Sequence, residues 1–287
     1  MKTVFSKSLL AAALAATMGI ASTSAMATTL NPFTINESSV PGTPLNNVLT
    51  NAGGFTGIYN EIVTFDGAGN FATSILWQAG SLYDALNAPY PGTTDVYLNA
   101  PGSAGYAMYG LFQGGGTYST SGTTTTFNFN PGGLLNVWID PTKNTSFVPP
   151  LLGNGGYAVS GVTGTDDYLV ASGVPTGGTG QLNPMLSTCG PSILNPGGLG
   201  INCGSFGTST SFDLTVAGAA YFTSPAPFYN MSFESGQLKD FTPTATQHIT
   251  GSLDVTFGNK VPEPASVALL GIGLVGLSLS LRRRKQG

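Results

Sequence analysis

Apolar and polar residues alternate with a period of two along short runs of this chain, and clusters of Gly, Pro, Asn and Asp separate the runs. Glu61–Phe65 and Phe71–Trp77 flank one glycine-containing turn, and Thr124–Asn130 and Leu134–Asp140 flank another, so each pair predicts a β-hairpin. A period of two places alternate side chains on opposite faces of a sheet, and helical periodicity is nearly absent. We therefore predict an all-β fold whose body is an antiparallel β-sandwich similar to a jelly roll.

The first 27 residues have the order of a secretory signal peptide. Lys2 and Lys7 come first, the apolar run 9–20 follows, and Ala25 and Ala27 supply the small residues of a cleavage site. The alternative, a retained membrane anchor, requires about 20 apolar residues, which this run does not reach. We expect cleavage after Ala27.

The last 27 residues contain a short motif, an apolar segment and a basic end. The motif is Val261, Pro262, Glu263 and Pro264, and the basic end is Arg282, Arg283, Arg284 and Lys285. Between them, residues 265–281 are uncharged and mostly apolar, and as a helix they would extend about 25 Å, the short limit for a membrane span. The terminal cations favour the cytoplasmic side, so we predict a transmembrane helix that leaves the body on the outer side.

This tail resembles the PEP-CTERM sorting signal of Gram-negative bacteria. The resemblance implies that an exosortase, a membrane transpeptidase, cuts near the motif after transient attachment to the membrane through the C-terminal helix. It also implies delivery to the outer envelope, the cell surface or the extracellular matrix. The chain then divides into a signal peptide (1–27), a single body (28–260) and a sorting signal (261–287).

The body resembles the flocculation-associated PEP-CTERM proteins of floc-forming bacteria. The similar stretches are Phe55–Phe65, with its Phe-Thr-Gly-Ile-Tyr-Asn-Glu start, and Tyr221–Tyr229, together with a last strand that runs directly into the tail. This resemblance implies a secreted, non-enzymatic protein that promotes flocculation or biofilm formation with exopolysaccharide. The alternative is a carbohydrate-binding module with a defined glycan site.

Aromatic residues beside glycine and proline would supply such a glycan site with rings on which sugars stack, and the competing interpretation is that they fill the core. These residues are Tyr90, Tyr106, Tyr109, Tyr118, Tyr157, Phe228 and Tyr229.

Residues 173–210 are rich in Gly, Pro, Ser, Thr and Asn, which predicts a long surface excursion. Cys189 and Cys203 lie in it and are the only cysteines of the chain. In an oxidising exterior they are expected to form a disulfide. The alternative is a thiol that binds metal or acts in catalysis, and no histidine or further cysteine lies nearby to complete such a site.

Groups that carry enzyme chemistry are scarce in the body. His248 is the only histidine, and the alternation of the last strand places it on the solvent face. Three acidic pairs could converge in a hydrolytic cleft, although acids such as Asp140 at strand ends are more typical of turns. The pairs are Glu61 with Asp66, Asp166 with Asp167, and Glu234 with Asp240. We expect no enzyme and no catalytic residue.

The expected ligands follow from the same charges. No cofactor is expected, and the one alternative is calcium held by Asp166 and Asp167, because loop carboxylates suit this hard cation. Residues 28–262 contain three lysines, no arginine and twelve acids, a net charge of 3 − 12 = −9. A nucleic-acid partner is excluded, since binding a phosphate backbone requires clustered cations.

Overall fold

The computed structural model describes residues 30–44, 46–90, 96–101, 105–160, 166–191 and 200–258, and the predicted signal peptide and sorting tail lie outside these ranges. The fold is all-β, as predicted, with 58% strand and 4% helix. Among the described residues, no helix is long and apolar enough to cross a membrane.

Fifteen strands follow one another along the described chain. They are β1 (Phe33–Asn36), β2 (Val48–Phe65), β3 (Asn70–Asp84), β4 (Ala107–Ser121), β5 (Thr124–Phe129), β6 (Leu134–Asp140), β7 (Ser146–Val148), β8 (Ala158–Ser160), β9 (Tyr168–Gly173), β10 (Pro175–Leu182), β11 (Gly204–Thr210), β12 (Asp213–Leu214), β13 (Phe222–Ser224), β14 (Asn230–Ser235) and β15 (Thr246–Gly258). A 3₁₀ turn, Glu37–Ser39, follows β1, and a short helix, α1 (Val216–Tyr221), precedes β13.

Eight of these strands close into an antiparallel barrel in the order β2, β3, β4, β5, β10, β11, β14, β15 and back to β2. Strand β2 pairs with β3 over Ala52–Phe65 on one edge and with β15 over Gly54–Thr64 on the other. The predicted sandwich is therefore corrected to a closed barrel, since the sheet continues around instead of splitting into two facing sheets.

Strand length explains why the sequence favoured a sandwich. Strands β2, β3 and β4 have 18, 15 and 15 residues, whereas the alternation marked only short parts of them, such as Glu61–Phe65. Glycines in the first half of β2 interrupt its alternation, and the pairing with β3 shifts register at Gly54 and Gly57. Such bulges bend and coil a long strand, which allows the sheet to close.

The second predicted hairpin is also corrected, because β5 and β6 both pair with β4 and not with each other. Strand β5 pairs with Gly116–Ser121 of β4, and β6 pairs with Ala107–Gln113 on the same edge. The Pro131–Gly133 segment is thus a corner in one antiparallel run, and Gly132 and Gly133 adopt positive φ angles of 105° and 106° there. Beyond this corner, β6, β9 and β12 form a flap outside the barrel.

The predicted excursion over residues 173–210 is shorter in the structure, which places β10 and β11 in the barrel wall. Both strands are rich in Gly, Ser and Thr, and apart from Phe206 they contain none of the valine, isoleucine and aromatic residues by which strands are normally recognised. The excursion proper lies between them, from Asn183 to Cys203.

Large aromatic side chains fill the barrel, and glycines on neighbouring strands make room for them. A Cβ atom on Gly251 would lie 2.7 Å from the Tyr59 ring, and one on Gly57 would overlap the Trp77 indole. Phe33, Phe222, Phe228 and Phe257 pack together at the end where β15 finishes, and a second set of phenylalanines fills the opposite end.

Candidate functional site

Three aspartates converge where β6 ends and β9 begins. Ile139 of β6 pairs with Tyr168 of β9, so the antiparallel register brings Asp140 next to Asp166 and Asp167. One carboxylate oxygen from each aspartate lies within 4.8 Å of the others. Oxygens on opposite sides of a calcium ion are about 5 Å apart, so this spacing fits that cation. The sequence analysis named Asp166 and Asp167 as candidate ligands and did not include Asp140, which the strand register places beside them.

Asp140 is 2% exposed and organises the loop that follows β6. Its Oδ1 accepts hydrogen bonds from the backbone N–H groups of Thr142 (3.0 Å) and Lys143 (2.6 Å), and its Oδ2 accepts one from Thr145 (3.0 Å). The turn role expected of acids at strand ends is confirmed for Asp140.

Asp166 and Asp167 each have one satisfied and one unsatisfied oxygen. The Thr142 hydroxyl donates to Asp166 Oδ2, and the Tyr109 hydroxyl (2.8 Å) donates to Asp167 Oδ2. The two Oδ1 atoms are buried and accept no hydrogen bond among the described residues. Burial raises the pKa of Asp167, the Asp140 and Asp166 charges raise it further, and hydrogen bonds oppose the rise. These free acceptors and this repulsion would both be relieved by a cation.

A groove of about 410 Å³ adjoins the three aspartates. One wall is the ring pair of Tyr109 and Phe147, whose centroids are 4.8 Å apart, and Ile58, 58% exposed, also lines the groove. The polar lining residues are Gln78, Asn99, Asp140, Lys143 and Thr145. The Tyr109 hydroxyl links this groove to the aspartates through its bond to Asp167. A groove of this size with an aromatic wall and several polar groups suits one or two sugar rings.

The proposed set of aromatic sugar platforms is not exposed in the structure. Tyr106 and Tyr109 are buried, and the other five are half-buried, so the core interpretation holds for most of their surface. Tyr106 donates to Glu37, and Tyr90 donates to the Thr50 carbonyl oxygen, which shows how their hydroxyls are used.

The acidic pair Glu61 and Asp66 does not converge. Glu61 points into the barrel and is 7% exposed, whereas Asp66 lies outside and accepts hydrogen bonds from the backbone of Ala68 (2.7 Å) and Asn70 (2.9 Å). Of the other candidates, Glu234 is exposed, and His248 is exposed on the outer face of β15 as predicted.

Sequence reasoning missed a buried carboxylate at Glu37, which is fully buried. It accepts hydrogen bonds from the backbone of Tyr97 and Leu98 (both 3.1 Å), from Asn47 Nδ2 (2.6 Å) and from the Tyr106 hydroxyl (2.8 Å). Burial raises the pKa of Glu37, and these hydrogen bonds oppose the rise. The complete set of donors indicates a structural role.

Cys189 and Cys203 form the predicted disulfide, with an S–S distance of 2.00 Å. The bond closes the excursion between β10 and β11, and the Cys203 N–H donates to the Leu238 carbonyl oxygen (2.8 Å) of the β14–β15 loop. The two loops are thus joined over one end of the barrel.

The remaining predicted site residues lie outside the described residues. They are Ala25 and Ala27 of the cleavage site, Val261, Pro262, Glu263 and Pro264 of the motif, and the basic end Arg282–Lys285.

Comparison with known proteins identifies the tail. Residues 260–285 match the PEP-CTERM protein-sorting motif. Searches of curated proteins and of solved structures return no match. The motif implies export, membrane anchoring before processing, an exosortase as the processing partner, and then the cell surface. The chain carries the sorting motif of exosortase substrates, which indicates a surface or secreted protein.

Proposed function

We propose that the mature protein is a non-enzymatic component of the cell surface or extracellular matrix that promotes flocculation or biofilm formation with exopolysaccharide. The observation that carries this proposal is the PEP-CTERM motif at residues 260–285. This motif implies delivery to the cell surface, where proteins can mediate contact between cells. The resemblance of the body to flocculation-associated proteins supplies the finer part of the proposal.

Two features of the body support an extracellular location. The Cys189–Cys203 bond persists in an oxidising exterior. The closed barrel leaves no free edge on its eight strands, and free edges are where sheets of neighbouring copies aggregate. A protein held at high local concentration in a matrix benefits from both.

A deletion strain tests the proposal. Loss of the gene is expected to reduce flocculation, and complementation with the parent chain is expected to restore it. A chain in which Pro262, Glu263 and Pro264 are replaced by alanine is the matched control, because its body is unchanged while its sorting is blocked. Normal flocculation in the deletion strain would contradict the proposed role.

A second candidate function is binding of a defined glycan in the groove beside the three aspartates. The observation that favours it is the connection between the groove wall and the acidic cluster, since Tyr109 packs on Phe147 and donates to Asp167. A cation bound by Asp140, Asp166 and Asp167 would fix the loop that lines the groove. Glycan binding would then depend on calcium.

Affinity electrophoresis of the secreted protein through gels containing the exopolysaccharide of the strain tests this candidate. Retardation is expected in calcium and not in EDTA, and Phe147→Ala and Asp167→Asn are each expected to abolish it. Glu234→Gln is the control, because it removes one negative charge at an exposed site away from the groove. Equal retardation of all variants would indicate distributed, nonspecific contact and would exclude a defined site here.

A further inference from the structure

A second cavity lies inside the barrel, at the end where β15 begins. Among the residues that the structure describes, its lining consists of nine apolar side chains, six of them phenylalanines, and a single carboxylate, Glu61. In the described state the cavity volume is about 30 Å³, which accommodates one or two water molecules. An apolar chamber that contains one ionisable group differs from an ordinary core, in which a buried charge is normally paired.

Glu61 has only part of its hydrogen-bonding capacity satisfied. The Thr73 hydroxyl donates to Oε1 at 2.5 Å, and Oε2 accepts no hydrogen bond among the described residues. The side chain is buried, with 7% of its surface exposed. No lysine of the described part of the chain lines the cavity, and residues 28–262 contain no arginine. The carboxylate is therefore an acceptor, aimed into an apolar cavity, that nothing in the described chain neutralises.

The cavity is closed by a ring that belongs to a loop and not to the barrel wall. Phe241, in the connection between β14 and β15, stacks on Phe65 (6.1 Å, 27°) and on Phe127 (6.0 Å, 28°). Its side chain remains half-buried, so one face of the closure reaches solvent. Removing this ring from its place would leave an aromatic slot of matching shape above Glu61.

We propose that this end of the barrel binds a small aromatic amine, whose ring takes the place of Phe241 and whose ammonium group donates to Glu61. The ring is recognised by Phe65 and Phe127, which already hold an aromatic ring in that position. The ammonium is recognised by the free Oε2 atom. A charge-assisted hydrogen bond between the two groups offsets the cost of removing both charges from water.

The ionisation of Glu61 agrees with this assignment. Burial raises the pKa of Glu61 to about 7, and the Thr73 hydrogen bond opposes the rise. Among the described residues, Glu61 is the only titratable one that lines the cavity. The Glu61 charge acts on Tyr59 and Tyr157, whose phenol pKa values are raised mainly by burial. An amine therefore binds best above pH 7, where the carboxylate is ionised.

Calorimetric titration of the secreted protein with benzylamine at pH 8 and pH 5 tests the proposal. Benzyl methyl ether, which keeps the ring and lacks the donor, is the ligand control. Phe241→Ala is expected to raise the benzylamine affinity at least tenfold, because the ring no longer competes. Glu61→Gln is expected to lower it at least tenfold at pH 8, and wild type at pH 5 is expected to approach that variant. Glu61→Gln retains every other ionisable group of the chain, so the comparison with wild type isolates Glu61.

Two variants keep the test decisive. Phe241→Leu preserves an apolar side chain if the alanine variant collapses, and it is expected to bind benzylamine more tightly than wild type. Phe212→Leu makes the same substitution among the phenylalanines at the opposite end of the barrel, and it is expected to leave the benzylamine affinity unchanged. The proposal is overturned if neither wild type nor either Phe241 variant binds benzylamine at millimolar concentration, or if the ether binds as well as the amine.

Discussion

Glu61→Gln provides a direct measure of how strongly the barrel interior opposes charge. The folded-state pKa of Glu61 is raised to about 7 from the ordinary 4.5, with burial as the main cause. Because the folded state holds the proton more tightly, the associated stability is complete below pH 4.5 and is lost as the pH rises through 7. A difference of about 2.5 pKa units corresponds to about 3 kcal/mol of free energy of unfolding.

Urea unfolding of wild type and Glu61→Gln between pH 4 and pH 8 measures this effect. All other titrating groups are shared by the two proteins, so the difference between their free energies of unfolding isolates Glu61. We expect the free energy of unfolding of Glu61→Gln, relative to that of wild type, to increase by about 3 kcal/mol as the pH rises over this interval. Parallel pH profiles would refute the reasoning, since they would mean that Glu61 ionises in the barrel as easily as in the unfolded chain.

Three further substitutions test the fold. Cys189 and Cys203 are 14 positions apart in the sequence, and replacing both with alanine opens the loop that their disulfide closes. This double substitution is expected to lower the free energy of unfolding by about 3 kcal/mol in guanidinium, whereas an unchanged unfolding midpoint would contradict the presence of the disulfide. Tyr106→Phe removes a donor from the buried carboxylate of Glu37 and is expected to lower the unfolding free energy by about 1 to 3 kcal/mol in the same assay. Gly251→Ala places a Cβ atom 2.7 Å from a buried tyrosine ring, and a thermal melt is expected to show a loss of about 1 to 3 kcal/mol, while an unchanged melting temperature would show that the ring moves freely.

The sequence predicted the antiparallel all-β class and failed on closure, for a physical reason. Alternation reports which face of a strand is buried, and the inward residues Ile249, Leu253, Val255 and Phe257 of β15 lie as it indicates. It does not report which strand lies beside which. The pairing of β15 with β2 joins segments about 190 residues apart in the chain, and no local pattern encodes that contact.

The candidate sites divide in the same way. Asp166 and Asp167 are adjacent in sequence, so the sequence alone suggests them as a pair, while Asp140 joins them only through the register of β6 and β9. The sequence analysis pairs Glu61 with Asp66 near a turn, yet the period of two in β2 carries the Glu61 side chain inward with Tyr59 and Val63. The sequence does not distinguish a buried acid from an exposed one, because a glutamate or aspartate can lie either in a solvated turn or beside a cavity.

The intact mass of the protein recovered from outside the cells tests the central claim most directly. Export and exosortase processing predict a chain that begins at Thr28 and ends near Pro262–Pro264, without the basic residues Arg282–Lys285. A strain in which the three motif residues are alanine is expected to yield a longer chain that stays with the membrane. Extracellular protein that still carries Arg282–Lys285 would contradict the account.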